Sequence, residues 1–93
     1  MNPAEIIHSE AKLIVQTYVR PEILFTKGQG AYLYDSNGKE YLDFNAGIAV
    51  NALGHANKQW VEAICQQAGR LTHVSNLYHT SPHIELEIGR AHV

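Results

Sequence analysis

The sequence predicts an α+β arrangement: a short β-hairpin flanked by amphipathic helices, with a core left incomplete. Three observations carry this. Asp35-Ser36-Asn37-Gly38 stands between two strand-like runs, and Asn-Gly is the strongest short hairpin signal because both residues tolerate positive φ. Apolar residues recur at helical spacing on both sides of it: Ile7, Ala11, Ile14 and Val15 before, and Val61, Ile64, Cys65, Ala68 and Leu71 after. A lone hairpin is marginal in water and needs a partner surface, which these few elements do not obviously supply.

The elements follow in order. Asn2-Pro3 reads as N-cap and first helical position, opening a helix to about Gln16. Thr17 to Pro21 leaves the helix, and Pro21 pushes Arg20 toward extended geometry. Ile23, Leu24 and Phe25 suit a short strand. Lys27-Gly28-Gln29-Gly30 reads as a glycine-rich turn. Ala31–Tyr34 and Lys39–Phe44 are the hairpin strands, with Tyr41 and Asp43 on one face and Leu42 and Phe44 on the other. The stretch DFNAGIAVNALGHAN, Asp43 to Asn57, is poor in large side chains. Small residues let something approach the backbone, either another part of the chain or a ligand. Asn57 caps the next helix. Thr72 to Thr80 is a loop or extended link, and Ser81-Pro82 restarts a helix that has barely begun when the chain stops.

Composition narrows the function. The chain has 93 residues and a formal charge of −2, so it is one domain at most and carries no basic stripe for nucleic acid. No apolar run approaches the roughly 20 residues that span a bilayer. The N-terminus lacks the order of a signal peptide. A single cysteine, Cys65, excludes an internal disulfide framework, fits a reducing cytoplasm, and is expected as a small buried hydrophobe rather than a nucleophile. His73, His79 and His83 cluster in sequence, but Pro82 places His79 outside the helix, so no metal site is expected. Gly28-Gln29-Gly30 lacks the third glycine and following helix of a dinucleotide fingerprint. Tyr18 is read locally as packing at a domain edge, with a hydrogen bond to a substrate carboxylate as the functional alternative.

Taken together, Gly28-x-Gly30, Tyr34-Asp35, Asn37-Gly38-Lys39, Tyr41-Leu42-Asp43-Phe44, Ala46-Gly47-Ile48-Ala49-Val50 and Leu53-Gly54-His55 match, in order and spacing, a known pattern. Over about residues 10 to 86 the chain resembles the N-terminal region of class III aminotransferases, which use pyridoxal 5'-phosphate. Within them it is most similar to the acetylornithine and ornithine subgroup. The resemblance implies the α/β type I aminotransferase fold, with this segment in the small domain and forming one active-site wall. It implies a homodimer with shared active sites. It implies amino-group transfer to 2-oxoglutarate in arginine biosynthesis, from N-acetylornithine or an ornithine-like ω-amino donor.

By the same resemblance Tyr18 contacts the substrate carboxylate. Gly47 and Ile48 lie in the turn beside cofactor and substrate. Ser75 and Asn76 lie in a loop that reaches toward the neighbouring subunit's active site. Ile48 stands where ornithine enzymes carry a tyrosine, and its apolar side chain leans toward the acetylornithine type. No catalytic or cofactor-binding residue is placed in this chain. The cofactor lysine, the aspartate beside the pyridine nitrogen, the phosphate-binding helix start and the 2-oxoglutarate arginine are expected beyond its end, and Lys12, Lys27, Lys39 and Lys58 do not occupy the lysine's context. Lys58 follows Asn57 where the family often has proline, and the cap at Asn57 preserves the helix start.

The last residues depart from the family pattern. Gly89 is expected to interrupt the final helix, at about 1 kcal/mol against alanine. Ile88–Val93 is the translation of ATC GGA AGA GCA CAC GTC, a string resembling the adapter ligated to DNA fragments for short-read sequencing. Residues 1–86 are therefore expected to be native and 87–93 a non-native tail, and the chain alone is expected to be inactive and poorly folded. The rival readings are an ornithine or other ω-amino-acid aminotransferase, a non-catalytic interaction module, and a histidine-based metal binder.

Overall fold

A computed structural model describes residues 1–91. His92 and Val93, the last two residues of the expected adapter-derived tail, lie outside the described residues. The chain divides into two compact units, Met1–Val61 and the residues from Glu62 onward.

The first unit opens with helix α1, Pro3–Leu13. Asn2 and Glu5 close a capping box: the Glu5 amide donates to Asn2 Oδ1 at 2.8 Å and the Asn2 amide to Glu5 Oε2 at 3.1 Å. The helix ends at Leu13 rather than at Gln16. The Gln16 side-chain amide donates to the Ile14 carbonyl at 2.7 Å and the Glu10 carbonyl at 3.2 Å. Those carbonyls are thereby satisfied while Ile14 turns extended (φ −105°, ψ 139°).

Three strands then form an antiparallel meander in the order β1-β2-β3, with β1 Phe25–Gln29, β2 Tyr32–Asp35 and β3 Glu40–Leu42. The register pairs Gln29 with Tyr32, Leu33 with Tyr41, and Tyr32 with Leu42. Alternation puts Phe25 and Tyr41 on one face, edge to face at 5.3 Å. Lys27 Nζ lies over the Tyr34 ring at 4.9 Å.

Two sequence expectations change here. Lys27-Gly28-Gln29 is strand rather than turn; only Gly30 (φ +58°) and Ala31 turn the chain. The return strand stops at Leu42 instead of Phe44, because Asp43 turns its carboxylate onto backbone amides ahead. The predicted Asn-Gly turn forms as expected. Asp35 Oδ1 accepts from the Asn37 and Lys39 amides at 2.9 Å each, and Gly38 takes φ +81°.

Past the sheet, the chain makes a single helical turn, α2, Ala46–Ala49. Helix α3, Lys58–Ala68, begins where predicted, with the Trp60 amide donating to Asn57 Oδ1 at 3.0 Å.

The second unit holds the rest of α3, a loop, and helix α4, Ser81–Ala91. Gly89 does not interrupt α4 as expected. Its cost of about 1 kcal/mol is small beside the continuous helical backbone around it.

Among the described residues none is buried as a whole, and no apolar core forms. Only the strands pack on one another to any extent; the helices leave their apolar stripes uncovered. Cys65 is therefore exposed, contrary to the expectation of a buried hydrophobe, because nothing in its unit covers the stripe it belongs to. An uncovered apolar surface of this extent is the property of a segment built to pack on something further. No helix among the described residues is long and apolar enough to cross a membrane.

Candidate functional site

The stretch from Asp43 to Asn57 holds the most unusual backbone in the chain. Ala46, Gly47, Ile48 and Ala49 all take positive φ, at 51°, 62°, 57° and 66°. α2 is thus a left-handed turn. The Ala49 amide donates to the Asn45 carbonyl at 3.0 Å and the Asn51 amide to the Ala46 carbonyl at 2.9 Å. Left-handed backbone costs about 1–2 kcal/mol for each non-glycine residue, and Ile48 is β-branched, the type least suited to it. Such strain persists only where the surroundings over-determine it.

The surroundings do so here. Asp43 Oδ1 accepts from the amides of Ala46 at 2.9 Å and Asn45 at 3.1 Å, pinning the start of the turn. Asp43 Oδ2 lies 2.7 Å from His55 Nε2. Gly30 and His55 exchange backbone hydrogen bonds in both directions, at 2.9 and 2.8 Å, as an isolated antiparallel bridge. The small residues serve this closure. A Cβ on Gly28 would stand 2.5 Å from His55 Cγ, and one on Gly54 (φ +79°) would stand 2.9 Å from the Gly30 carbonyl oxygen. At Gly28 and Gly54, then, what approaches the backbone is the chain itself.

The electrostatics agree with the geometry. His55, with the amides of Ala46 and Asn45, holds the Asp43 carboxyl below the usual carboxylate range, against the opposing effect of burial. An ionised Asp43 can only accept, so His55 carries its proton on Nε2 toward it. In the hairpin turn, burial pushes Asp35 up, but the amides of Lys39 and Asn37 and the Tyr41 hydroxyl outweigh it and leave its carboxyl lowered. Burial and the hydrogen bond to Glu40 raise the Tyr34 phenol.

The residues singled out from sequence are placed as follows. Ile48 sits within the left-handed turn with 84% of its surface exposed, and Gly47 precedes it. Tyr18 lies in the link after α1, exposed, with the Arg20 guanidinium 5.8 Å from its ring centroid; Arg20 is in turn paired with Glu10 at 3.0 Å. The hollow that Tyr18 lines runs along α1 and residues 16–25. It shares no residue with the one formed by Gly30, Asp43, Ala46, Asn51 and His55. Ser75 and Asn76 belong to the second unit. There Ser75 Oγ accepts from the Leu77 amide at 3.1 Å, and both residues line a shallow hollow with Gln67, His73 and His83. No three His, Cys, Asp or Glu side chains converge as a metal site among the described residues.

Of the lysines, Lys27 and Lys39 lie over the rings of Tyr34 and Tyr41, Lys12 is in the last turn of α1, and Lys58 is the first residue of α3.

Sequence reasoning missed the Asp43–His55 pair. By sequence Asp43 reads as a strand residue and His55 as one polar histidine among six. The available signal was an aspartate two and three residues before the amides it accepts, the pattern of an Asx turn.

The family profile described as "Aminotransferase class-III" matches residues 14–89. An acetylornithine aminotransferase from Archaeoglobus fulgidus is 49% identical over 80 residues, 86% of this chain and 21% of the relative. The crystal structure of an acetylornithine aminotransferase from Elizabethkingia anophelis superposes with a TM-score of 0.85 at 27% identity, over 98% of this chain and 24% of that one. An ornithine aminotransferase from Toxoplasma gondii gives 0.80 at 31%, over 87% and 19%. The chain spans about a fifth of the length of the curated relatives it matches.

Proposed function

The chain belongs to the class III aminotransferases, and from that premise we propose that the complete protein moves the amino group of N-acetylornithine to 2-oxoglutarate, in arginine biosynthesis. The observation that carries the substrate choice is Ile48. Its apolar, exposed side chain is presented by a fixed turn, and no acid stands beside it in the sequence from Asn45 to Leu53. A donor whose far nitrogen is acylated brings no charge and suits such a wall. A free ornithine ammonium would lose its hydration there without a partner. The acetylornithine relative at 49% identity supports the same choice.

Class III aminotransferases depend on pyridoxal 5'-phosphate. By resemblance none of the four lysines stands in the context of the family's cofactor lysine. No step of the chemistry is therefore assigned to them. The chain's part is to shape the pocket: Gly47 and Ile48 flank the donor, Tyr18 donates a hydrogen bond to its carboxylate, and Ser75 and Asn76 reach the site of a second subunit in a cytoplasmic homodimer. We further propose that residues 87–93 are a translated adapter. Against this, α4 runs on to Ala91 and the family match reaches residue 89, so Glu87 to Gly89 also suit the family's own helix.

The test is to express the complete gene and compare donors. N-acetylornithine should be used with a kcat/KM at least about tenfold above that for ornithine, with 2-oxoglutarate as acceptor. A preference for ornithine moves the protein to the ornithine group, whose Toxoplasma member superposes on this chain with a TM-score of 0.80. Transamination of neither donor would overturn the substrate assignment.

A further inference from the structure

We propose that Asp43 and His55 are positioning residues that set donor specificity, holding the left-handed turn Ala46–Ala49 so that Ile48 stands as a fixed wall of the amino-donor pocket. The inference rests on the aminotransferase reading above and adds two residues to it. The donor that the wall suits is an α-amino acid whose side chain ends in a neutral, acylated nitrogen; Asp43 and His55 act on that choice only by fixing where Ile48 stands.

The turn cannot hold itself. Three of its four left-handed residues are not glycine, and a turn of this length makes too few hydrogen bonds of its own to offset that. It is held from its two ends. At the start, Asp43 Oδ1 takes the amides of Asn45 and Ala46. At the end, the Asn51 amide reaches the Ala46 carbonyl and the Gly54 amide reaches the Asn51 carbonyl at 2.9 Å, leading into His55. The His55 backbone is locked to Gly30, and its ring returns to Asp43 Oδ2 at 2.7 Å. One carboxylate therefore ties both ends of the turn to the sheet.

The tie is sheltered: the Asp43 side chain is 7% exposed and that of His55 20%. The seat for the ring exists only because Gly28 has no Cβ. No hydrogen bond of the pair involves Ile48, so the two residues act on its side chain only through the backbone between them. Misplacing a pocket wall by about 1 Å costs as much as a hundredfold in a well-positioned reaction.

The experiment uses the complete enzyme with three variants. His55→Leu removes the tie. His55→Gln keeps a side-chain amide that can donate to Asp43. Gly28→Ala leaves every hydrogen-bonding group in place but pushes the ring from its seat. Steady-state kinetics with N-acetylornithine and ornithine, and hydrogen exchange at residues 45–49, are read together. His55→Leu and Gly28→Ala should raise the KM for N-acetylornithine about tenfold or more and erode its preference over ornithine, with kcat within about threefold. Exchange at 45–49 should quicken in both, and His55→Gln should restore both readouts toward wild type.

Folded His55→Leu and Gly28→Ala enzymes that keep the wild-type KM and donor preference would overturn the proposal, even if they melt earlier. Where His55→Leu does not fold, Gly28→Ala decides alone, and where neither folds, His55→Gln with wild-type exchange but altered donor preference would overturn it. If the wild type transaminates neither donor while exchange at 45–49 still follows the tie, the substrate reading falls and the tie itself stands.

Discussion

The segment from Gly28 to Asn57 and the segment from Glu62 to Ala91 are of similar length and are held in opposite ways. In the first, shape comes from polar groups that find one another: Asp35 with its turn amides, Asp43 with His55 and two amides, Gly30 with His55. In the second, shape is helical backbone carrying apolar stripes, and Ile64, Ile84 and Leu86 are each more than half exposed. Hydrogen bonds at fixed spacing can define a local conformation without a core. Apolar stripes define nothing until another surface covers them. The polar segment is therefore where this chain can carry geometry of its own, and the helical segment is where it depends on the rest of the enzyme.

Substitutions in the complete enzyme can break this contrast, and the largest effect belongs to Gly54→Ala. Its Cβ would press on the Gly30 carbonyl at 2.9 Å from a residue at φ +79°, so both backbone and contact must give. Denaturant unfolding should show a loss of about 2–3 kcal/mol. Next, one substitution should change sign between the two segments. Ala63→Gly, inside α3, should cost about 1 kcal/mol, whereas Ala49→Gly, at φ +66°, should be neutral or stabilising by up to about 1 kcal/mol. Equal losses at both would mean the left-handed turn does not form.

The pH dependence sharpens the same contrast. Because the folded Asp43 carboxyl is held below its unfolded value of about 3.9, its contribution is present above that value. It is lost as pH falls through the lowered folded value. Stability measured between about pH 2 and 6 should fall more steeply in wild type than in Asp43→Asn. The smallest effect on stability belongs to Tyr18→Phe. The phenol is exposed and its hydroxyl has no partner within the chain among the described residues, so the melting temperature should hold. KM for the amino donor should still rise severalfold, about the worth of one hydrogen bond. An unchanged KM removes Tyr18 from the site.

What could be read beforehand follows the same division. Asn2-Pro3, Asn57 and Asp35-Ser36-Asn37-Gly38 announce themselves, because caps and turns are local chemistry between residues two to four apart. The pattern places the end of α1 too late, because the Gln16 side chain satisfies the Glu10 carbonyl of the helix and the Ile14 carbonyl at its cap from beyond it. Gly28 reads as a turn residue although it sits in a strand, since its smallness answers to His55, far along the chain. The handedness of Ala46–Ala49 was hidden for a like reason. Alanine and isoleucine have no local reason to be left-handed, and only Asp43, His55 and Gly30 together impose it. The candidate residues Gly47 and Ile48 came from resemblance, while the pair that holds them came only from the folded chain.

Sequencing the source DNA across the codon for Leu86 decides whether this chain is one wall of a larger class III aminotransferase. If it is, the reading frame continues into the rest of a helix and later into a domain bearing the cofactor lysine, and the gene lacks Glu87–Val93. A gene that encodes Glu87–Val93 and then a stop codon would rule that out.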